Sequence, residues 1–182
     1  MRRVEGLRRA CLTAALLALA GACSRRPPAK TAAHSPLFTG HEARRRVLLT
    51  FPSGHRPGFV NIQVPIYATS SMVAQAKQVL LDLMAGPPDS ASGAVGCFGP
   101  NAAYNEVYLD GQGLAVVDLP QATVDGLPGG TSAEVATLYC LVRTLCADIP
   151  GVTRVQVLID GRAAETLRGH FDLSDPLAPS DF

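Results

Sequence analysis

The apolar and polar positions of the first folded stretch predict two strands. Residues 47–51 form a short apolar run that ends in a Pro-Ser-Gly turn. From Phe59 to Tyr67 the residues alternate between apolar and other types, which predicts a half-buried strand. Its inward-facing side chains are Val60, Ile62, Val64 and Ile66. Pro65 faces the other way and cannot donate to a β-ladder, so we expect this strand at a sheet edge.

Two helices are predicted by apolar residues spaced three and four apart. Ser70 or Ser71 caps the first helix, which ends at Ala85 before Gly86 and two prolines. Its apolar stripe consists of Val73, Ala76, Leu80, Leu83 and Met84. One side of this helix should therefore pack on the core.

The second helix begins at Thr131 or Ser132, one of which should be its N-cap, and ends at Asp148. Glu134 is placed to close a capping box with Thr131. The apolar stripe consists of Val135, Leu138, Val142, Leu145 and Ile149. We expect the middle of this stripe to be buried against the sheet.

The remaining patterns complete the order of elements. Residues 106–119 predict a β-hairpin around Asp110-Gly111-Gln112-Gly113, and residues 120–130 predict a loop. Residues 155–159 predict a last strand. The order β-β-α-β-β-α-β predicts an α+β fold, a two-layer sandwich of one mixed sheet of about five strands with two helices packed on one face.

The N-terminus has the features of an exported protein. Residues 1–9 contain four arginines and one acid, and residues 10–22 carry no charge and end in Leu-Ala-Gly-Ala. A basic start, a short apolar run and small residues before the cleavage site are typical of a secretory signal peptide. The run of 13 uncharged residues is too short to span a bilayer, which needs roughly 20.

Cys23 follows this run directly, and the segment resembles a bacterial lipoprotein signal, with Ala20 at a place where leucine is usual. The resemblance implies a diacylglycerol on the Cys23 sulfur and an acylated amino terminus, palmitate being a typical acyl group. A plain secreted form is the alternative. We divide the chain into a signal peptide (1–22), a lipidated N-terminus with a flexible tether (23–43) and one domain (44–182). The expected location is the outer membrane or the extracytoplasmic face of the cytoplasmic membrane.

Charge excludes one class of partner. The chain has 16 Lys and Arg and 15 Asp and Glu, and the signal holds four and one of these, so 12 basic and 14 acidic residues remain. The remaining net charge is near −2, so there is no excess of basic residues to bind nucleic acid. About 140 residues suffice for a core without metals or disulfides, and we expect no cofactor.

Three cysteines remain in the predicted domain: Cys97, Cys140 and Cys146. An odd number in an exported chain leaves at least one free thiol. Cys140 points about 180° away from the apolar stripe, and Cys146 lies about 60° to one side of it. We therefore expect Cys97, in the loop 89–103, to pair with Cys140, or with Cys146 if the loop crosses the helix near its end. Three reduced cysteines that fill space are the alternative.

The residues from Arg46 to Leu177 resemble the GerMN domain of sporulation and spore-germination proteins and of many bacterial lipoproteins. The likeness lies in the order and spacing of five segments: the helix end Leu-Leu-Asp-Leu-Met-Ala-Gly-Pro (80–87), the hairpin 107–119 with Asp118, the helix 132–148, the strand 155–161 and the tail 167–177.

This resemblance implies protein contacts rather than catalysis. The GerMN fold is similar to small α/β domains that build rings in envelope assemblies. We therefore expect a membrane-anchored, non-catalytic lipoprotein whose partners are membrane lipid, through acylated Cys23, and an envelope protein. The alternative is a periplasmic or surface hydrolase or ligand-binding domain that acts on cell-wall material.

Other residue groups favour structural roles. Asp118, Asp125 and Glu134 are spaced too widely for a typical calcium loop, and Asp118 should instead cap a strand end through backbone amides. His170 has no second histidine or cysteine beside it, which favours packing and hydrogen bonding. The glycine-rich residues 126–130 could cradle an anion before a helix start, although a turn is the favoured interpretation.

Overall fold

Strands β1 (Arg44–Pro52) and β2 (Phe59–Tyr67) form an antiparallel hairpin in the computed structural model, which describes residues 43–88 and 93–182. Val47 pairs with Val64, and Pro65 pairs with Arg46. The alternation predicted for β2 is confirmed, because Val64 and Ile66 are buried whereas Gln63, Pro65 and Tyr67 are exposed. The signal peptide, Cys23 and the tether before Ala43 lie outside the described residues.

Helix α1 (Met72–Ala85) begins and ends as its sequence predicts. The Ser71 side chain accepts a hydrogen bond from the Ala74 amide at 3.2 Å, and Gly86 ends the helix with a φ of 87°. A residue with a Cβ would be strained at that angle. The Gln78 side chain also pairs with the backbone of Tyr67, at 2.9 Å to its amide and 3.2 Å to its carbonyl oxygen. The helix is thereby tied to the end of β2.

A second sheet contains β3 (Glu106–Leu109), β4 (Leu114–Leu119), β5 (Arg154–Ile159) and β6 (Arg162–Ala163), in that spatial order. β3 and β4 are the predicted hairpin. β4 and β5 are parallel, and the connection between them carries a short helix α2 (Gln121–Asp125) and the long helix α3 (Thr131–Asp148). The α+β class is confirmed, with the strands divided between two sheets rather than joined in one.

The division into two sheets has a physical cause at the edge of β1. The Leu48 amide donates to both carboxylate oxygens of Asp148, at 2.9 and 3.0 Å, and the Thr50 amide donates to Thr144 Oγ1 at 3.0 Å. Side chains of α3 thus satisfy amides that a neighbouring strand would otherwise bind. Burial raises the pKa of Asp148, and the Leu48 amide and the nearby Arg45 guanidinium only partly offset that rise.

Helix α3 is buried on more than the predicted stripe. Leu138, Val142 and Leu145 are inaccessible or nearly so, as expected, and they belong to a core that includes Val157. The residues buried on its other sides are Glu134, Thr137, Cys140, Leu141 and Thr144. Burial of α3 thus extends beyond the predicted stripe, because β1, the loop 93–103 and the C-terminal tail cover its flanks.

We expect Leu145→Ala to lower the free energy of unfolding by about 2–5 kcal/mol, because the buried side chain leaves a cavity that its neighbours fill only in part. Urea denaturation followed by circular dichroism measures the change. Leu81→Ala in α1 is the matched control: that leucine is 54% exposed, and its removal should change stability by about 0.5 kcal/mol or less. Equal denaturation midpoints for the two variants would contradict the burial.

Candidate functional site

Glu134 carries a buried carboxylate in the first turn of α3, with only 2% of the residue exposed. Its Oε1 accepts hydrogen bonds from the amides of Arg168, at 3.2 Å, and Phe171, at 3.0 Å. Its Oε2 lies 2.9 Å from Nδ1 of His170. The predicted capping box was wrong: Gly130 is the N-cap, and the carboxylate turns toward the C-terminal tail. We call this arrangement of Glu134 with residues 168–171 the tail clasp.

The tail clasp favours an ionised carboxylate. Burial raises the pKa of Glu134, but the hydrogen bonds from His170 and from the backbone amides lower it by more, so the pKa lies below its ordinary value. A carboxylate that accepts several hydrogen bonds is stabilised in its charged form. The predicted structural role of His170 agrees with this geometry, since its ring contacts Glu134.

Further hydrogen bonds hold the tail in its path. The Arg168 guanidinium donates to the carbonyl oxygen of Leu127 at 2.6 Å, and the Gly169 amide donates to Thr166 Oγ1 at 3.0 Å. The Leu173 amide donates to the carbonyl oxygen of Glu165 at 2.8 Å, which closes the segment into a loop. The tail is thus fixed against α3 at several points.

Beside the tail clasp lies a group of four aromatic side chains, which we call the aromatic cluster: Phe59, Tyr139, Phe171 and Phe182. The ring centroids are 4.2 Å apart between Phe59 and Tyr139, 5.5 Å between Tyr139 and Phe182, and 5.1 Å between Phe171 and Phe182. Phe59 is 42% exposed and Phe182 is 37% exposed. The tail clasp positions this surface, because the amide of Phe171 is one of its donors.

The three cysteines of the domain are free thiols that differ in burial. Cys97 and Cys140 are both buried, and their side chains interact with each other. The contact with Cys97 and then burial raise the pKa of Cys140. Cys146 is partly buried at the edge of the core. Cys140 is covered by the loop that carries Cys97, and a disulfide between them stays a prediction.

The acidic residues considered for a cation site have separate partners. Asp118 Oδ1 accepts a hydrogen bond from the Gly161 amide at 2.8 Å, which confirms its predicted role at a strand end. Asp125 accepts from the Gln121 side chain at 2.8 Å, and Glu134 binds the tail. Within residues 43–88 and 93–182, no group of three or more His, Cys, Asp or Glu side chains is placed to hold a metal ion.

An open depression of about 560 Å³ lies between the end of α1 and the loop that follows Cys97. Its described lining is apolar side chains, glycines, prolines and one amide, Asn101. Titratable side chains are absent from that described lining.

The sequence did not predict the tail clasp or helix α2. The position of Glu134 predicted a capping box instead. No neighbouring residue indicates that the hydrogen-bond donors to its carboxylate lie 34 to 37 residues later. Helix α2 has only five residues and starts after a proline. Its Thr123 hydroxyl donates to the Ala103 carbonyl oxygen at 2.8 Å, which ties the loop after Cys97 to α2.

We expect Glu134→Gln to lower the free energy of unfolding by about 1–3 kcal/mol at neutral pH, because one buried acceptor becomes a donor that faces other donors. Since the folded pKa is lowered, the contribution of the carboxylate is full above the ordinary value of about 4.3 and is lost as the pH falls through the folded pKa. The difference between wild type and variant should therefore shrink at low pH.

Chemical denaturation at a series of pH values tests this expectation. Glu165→Gln is the control, because Glu165 is exposed and its substitution should have little effect at any pH. A difference between wild type and Glu134→Gln that stays constant through the acid range would show that ionisation of Glu134 does not stabilise the tail.

Three solved structures share this fold. The tandem GerMN domains of the sporulation protein GerM from Bacillus subtilis align with a TM-score of 0.63 and 20% identity, over 76% of this chain and 48% of that one. The first GerMN domain of the same protein aligns with a TM-score of 0.59 and 19% identity, over 76% and 99%. A "putative lipoprotein" from Clostridium perfringens aligns with a TM-score of 0.55 and 16% identity, over 79% and 95%.

Sequence similarity gives the family directly. Among curated proteins, none matches this chain significantly. The family model Germane, described as sporulation and spore germination, matches residues 49–165, which is more than half of the chain. That match includes both sheets and all three helices except the start of β1. The chain therefore belongs to the Germane family of sporulation and spore germination, whose domain is the GerMN domain.

Proposed function

We propose that this protein is a lipid-anchored, non-catalytic component of the bacterial envelope whose GerMN domain binds a protein partner. The observation that carries the proposal is the combination of a lipoprotein-type N-terminus ending at Cys23 with a GerMN domain that presents the aromatic cluster. The GerMN domain establishes the family, the N-terminus supports a lipid anchor, and the aromatic cluster supports contact with a protein partner.

The anchor is supported by sequence and by likeness. Residues 1–22 have the charge and size pattern of a cleaved signal, and Cys23 is the residue that would be acylated. Among residues 43–88 and 93–182, no helix is long and apolar enough to span a bilayer. One protein of the same fold is itself described as a lipoprotein, from Clostridium perfringens. Acylation at Cys23 would place the domain at the outer membrane or on the outer face of the cytoplasmic membrane.

A non-catalytic role is supported by the hydrogen bonds that acidic side chains make within the domain. Both oxygens of Glu134 are occupied by the tail, and Asp118 binds a backbone amide. A hydrolase would need a nucleophile or metal and a base within reach of one substrate atom. Asp118, Asp125 and Glu134 are bound to separate structural partners, which weighs against the alternative of a cell-wall hydrolase.

The aromatic cluster has the composition of a protein-binding surface. Tyrosine, phenylalanine and arginine are enriched where proteins meet, and Arg143 lies exposed one turn after Tyr139 on α3. The rings of Phe59 and Tyr139 are inclined at 43°, and those of Tyr139 and Phe182 at 69°. Phe171 and Phe182 stack at 7°, so they cover each other's faces. Such a surface offers ring edges and clefts to side chains rather than a flat platform for a sugar ring.

Cys23→Ala should abolish incorporation of labelled palmitate and block cleavage of the signal, because the acyl acceptor is removed. Metabolic labelling followed by immunoprecipitation measures both outcomes. Cys11→Ala is the matched control, since Cys11 lies inside the uncharged run of the signal and should leave labelling unchanged. Labelling that persists in Cys23→Ala would contradict the lipid anchor.

A photocrosslinking residue at position 59 should form a defined adduct with an envelope protein in intact cells, because Phe59 lies in the aromatic cluster. The matched control is the same residue at position 108, since Tyr108 is 56% exposed on β3 and lies outside the cluster. Immunoblotting after irradiation measures the adduct, and mass spectrometry identifies the crosslinked protein. Adducts of equal yield at both positions, or none at position 59, would contradict the proposed surface.

A further inference from the structure

Two of the three domain cysteines meet in the interior. Cys97, from the loop 93–103, is 3% exposed and Cys140, from the middle of α3, is fully buried. Their side chains interact directly, although 43 positions of sequence separate them. Cys146 lies six residues beyond Cys140, about 9 Å along the helix axis and on a different face.

Two contacts, one at Cys97 itself and one just after it, hold this part of the loop in place beside α3. Thr137 lies one turn before Cys140, and its hydroxyl donates to the Cys97 carbonyl oxygen at 2.7 Å. Two residues after Cys97, Gly99 packs so closely on the backbone of Gly126 that no Cβ would fit there. These contacts direct the Cys97 side chain to the Cys140 turn of α3 rather than to the Cys146 turn.

We propose that Cys97 and Cys140 form a disulfide in the exported protein and that Cys146 remains a thiol. The geometry selects this pair among the three possible pairings. The proposal rests on the proposed function in one respect only, which is that export brings the chain into an oxidising compartment.

The reaction is a thiol–disulfide exchange with an exported oxidoreductase that carries a reactive disulfide. One cysteine, as thiolate, attacks that disulfide and forms a mixed disulfide, and the oxidoreductase releases one thiolate. The second cysteine then attacks the mixed disulfide and releases the other thiolate. Two protons leave the substrate cysteines, and their two electrons reduce the oxidoreductase to a dithiol.

Oxidation should take place before the loop closes on α3. Once the loop is in place both sulfurs are buried, so an oxidoreductase cannot reach them. The raised pKa of Cys140 also lowers its reactivity in the folded domain, because the thiolate is the nucleophile. The bond would therefore form during folding and then be protected from reductants.

Peptide mapping decides the pairing. The envelope-derived protein is alkylated under denaturing conditions without reduction and then cut with trypsin and a glutamate-specific protease. Cleavage after Lys77, Glu106, Glu134, Arg143 and Arg154 separates Cys97 in 78–106, Cys140 in 135–143 and Cys146 in 144–154. We expect 78–106 linked to 135–143, and alkylated Cys146. Alkylation of all three cysteines, or a link to 144–154, would overturn the proposal.

Cysteine variants and a comparison of melting temperatures test the pairing in two further ways. Cys146→Ala should retain the link, whereas Cys140→Ala should leave Cys97 open to alkylation. The oxidised protein should melt about 5–15 °C higher than the reduced protein, since the bond closes a long loop of the unfolded chain. Equal melting temperatures, or a link lost in Cys146→Ala, would contradict the selected pair.

Refolding of the purified mature protein in a glutathione redox buffer separates the proposal from the proposed function, because it does not depend on export. The link should form there as well. A link that forms on refolding and is absent from cells would reject export to an oxidising compartment. Its absence from both preparations would reject the Cys97–Cys140 pair itself.

Discussion

Polar side chains of helix α3 bind backbone groups of three separate segments, and the arrangement of the domain depends on these hydrogen bonds. Glu134 binds the C-terminal tail, Thr137 binds the Cys97 loop, and Thr144 and Asp148 bind β1. A buried backbone group without a partner is costly, so each of these side chains makes a distant segment stable where it lies. The apolar stripe of α3 provides the core, and its polar residues determine what covers the rest of the helix.

The two acidic residues of this helix show that the same type of contact can have opposite electrostatic results. The pKa of Glu134 is lowered, because its hydrogen bonds outweigh the effect of burial. The pKa of Asp148 is raised, because burial outweighs the bonds from Leu48 and the charge of Arg45. At neutral pH the ionised form of Glu134 therefore stabilises the folded state, whereas the desolvation cost of ionising Asp148 offsets part of the benefit of its bonds to β1.

Elements formed by local sequence were predictable, and those formed by distant polar contacts were not. The strand β2, the Ser71 cap and the Gly86 end of α1 follow from short-range periodicity and helix-end chemistry, which any reader of the sequence can apply. Thr144 and Asp148 resemble ordinary solvent-facing positions of a helix, so no local pattern indicated that β1 packs against them. The donors to Glu134 come from a tail without periodicity. The sequence did indicate that Cys140 points away from the stripe, and the loop with Cys97 covers it.

The hairpin of β1 and β2 has a consequence for the lipid anchor proposed above. Copies anchored in that way would share a plane and meet far more often than they would free in solution, so an open strand edge would favour sheet growth from one copy to the next. One edge of this hairpin is closed by α3. The other lacks a donor at Pro65 and has the backbone of Tyr67 bound by Gln78. This hairpin is therefore a poor template for aggregation even where copies of the domain are crowded at a surface.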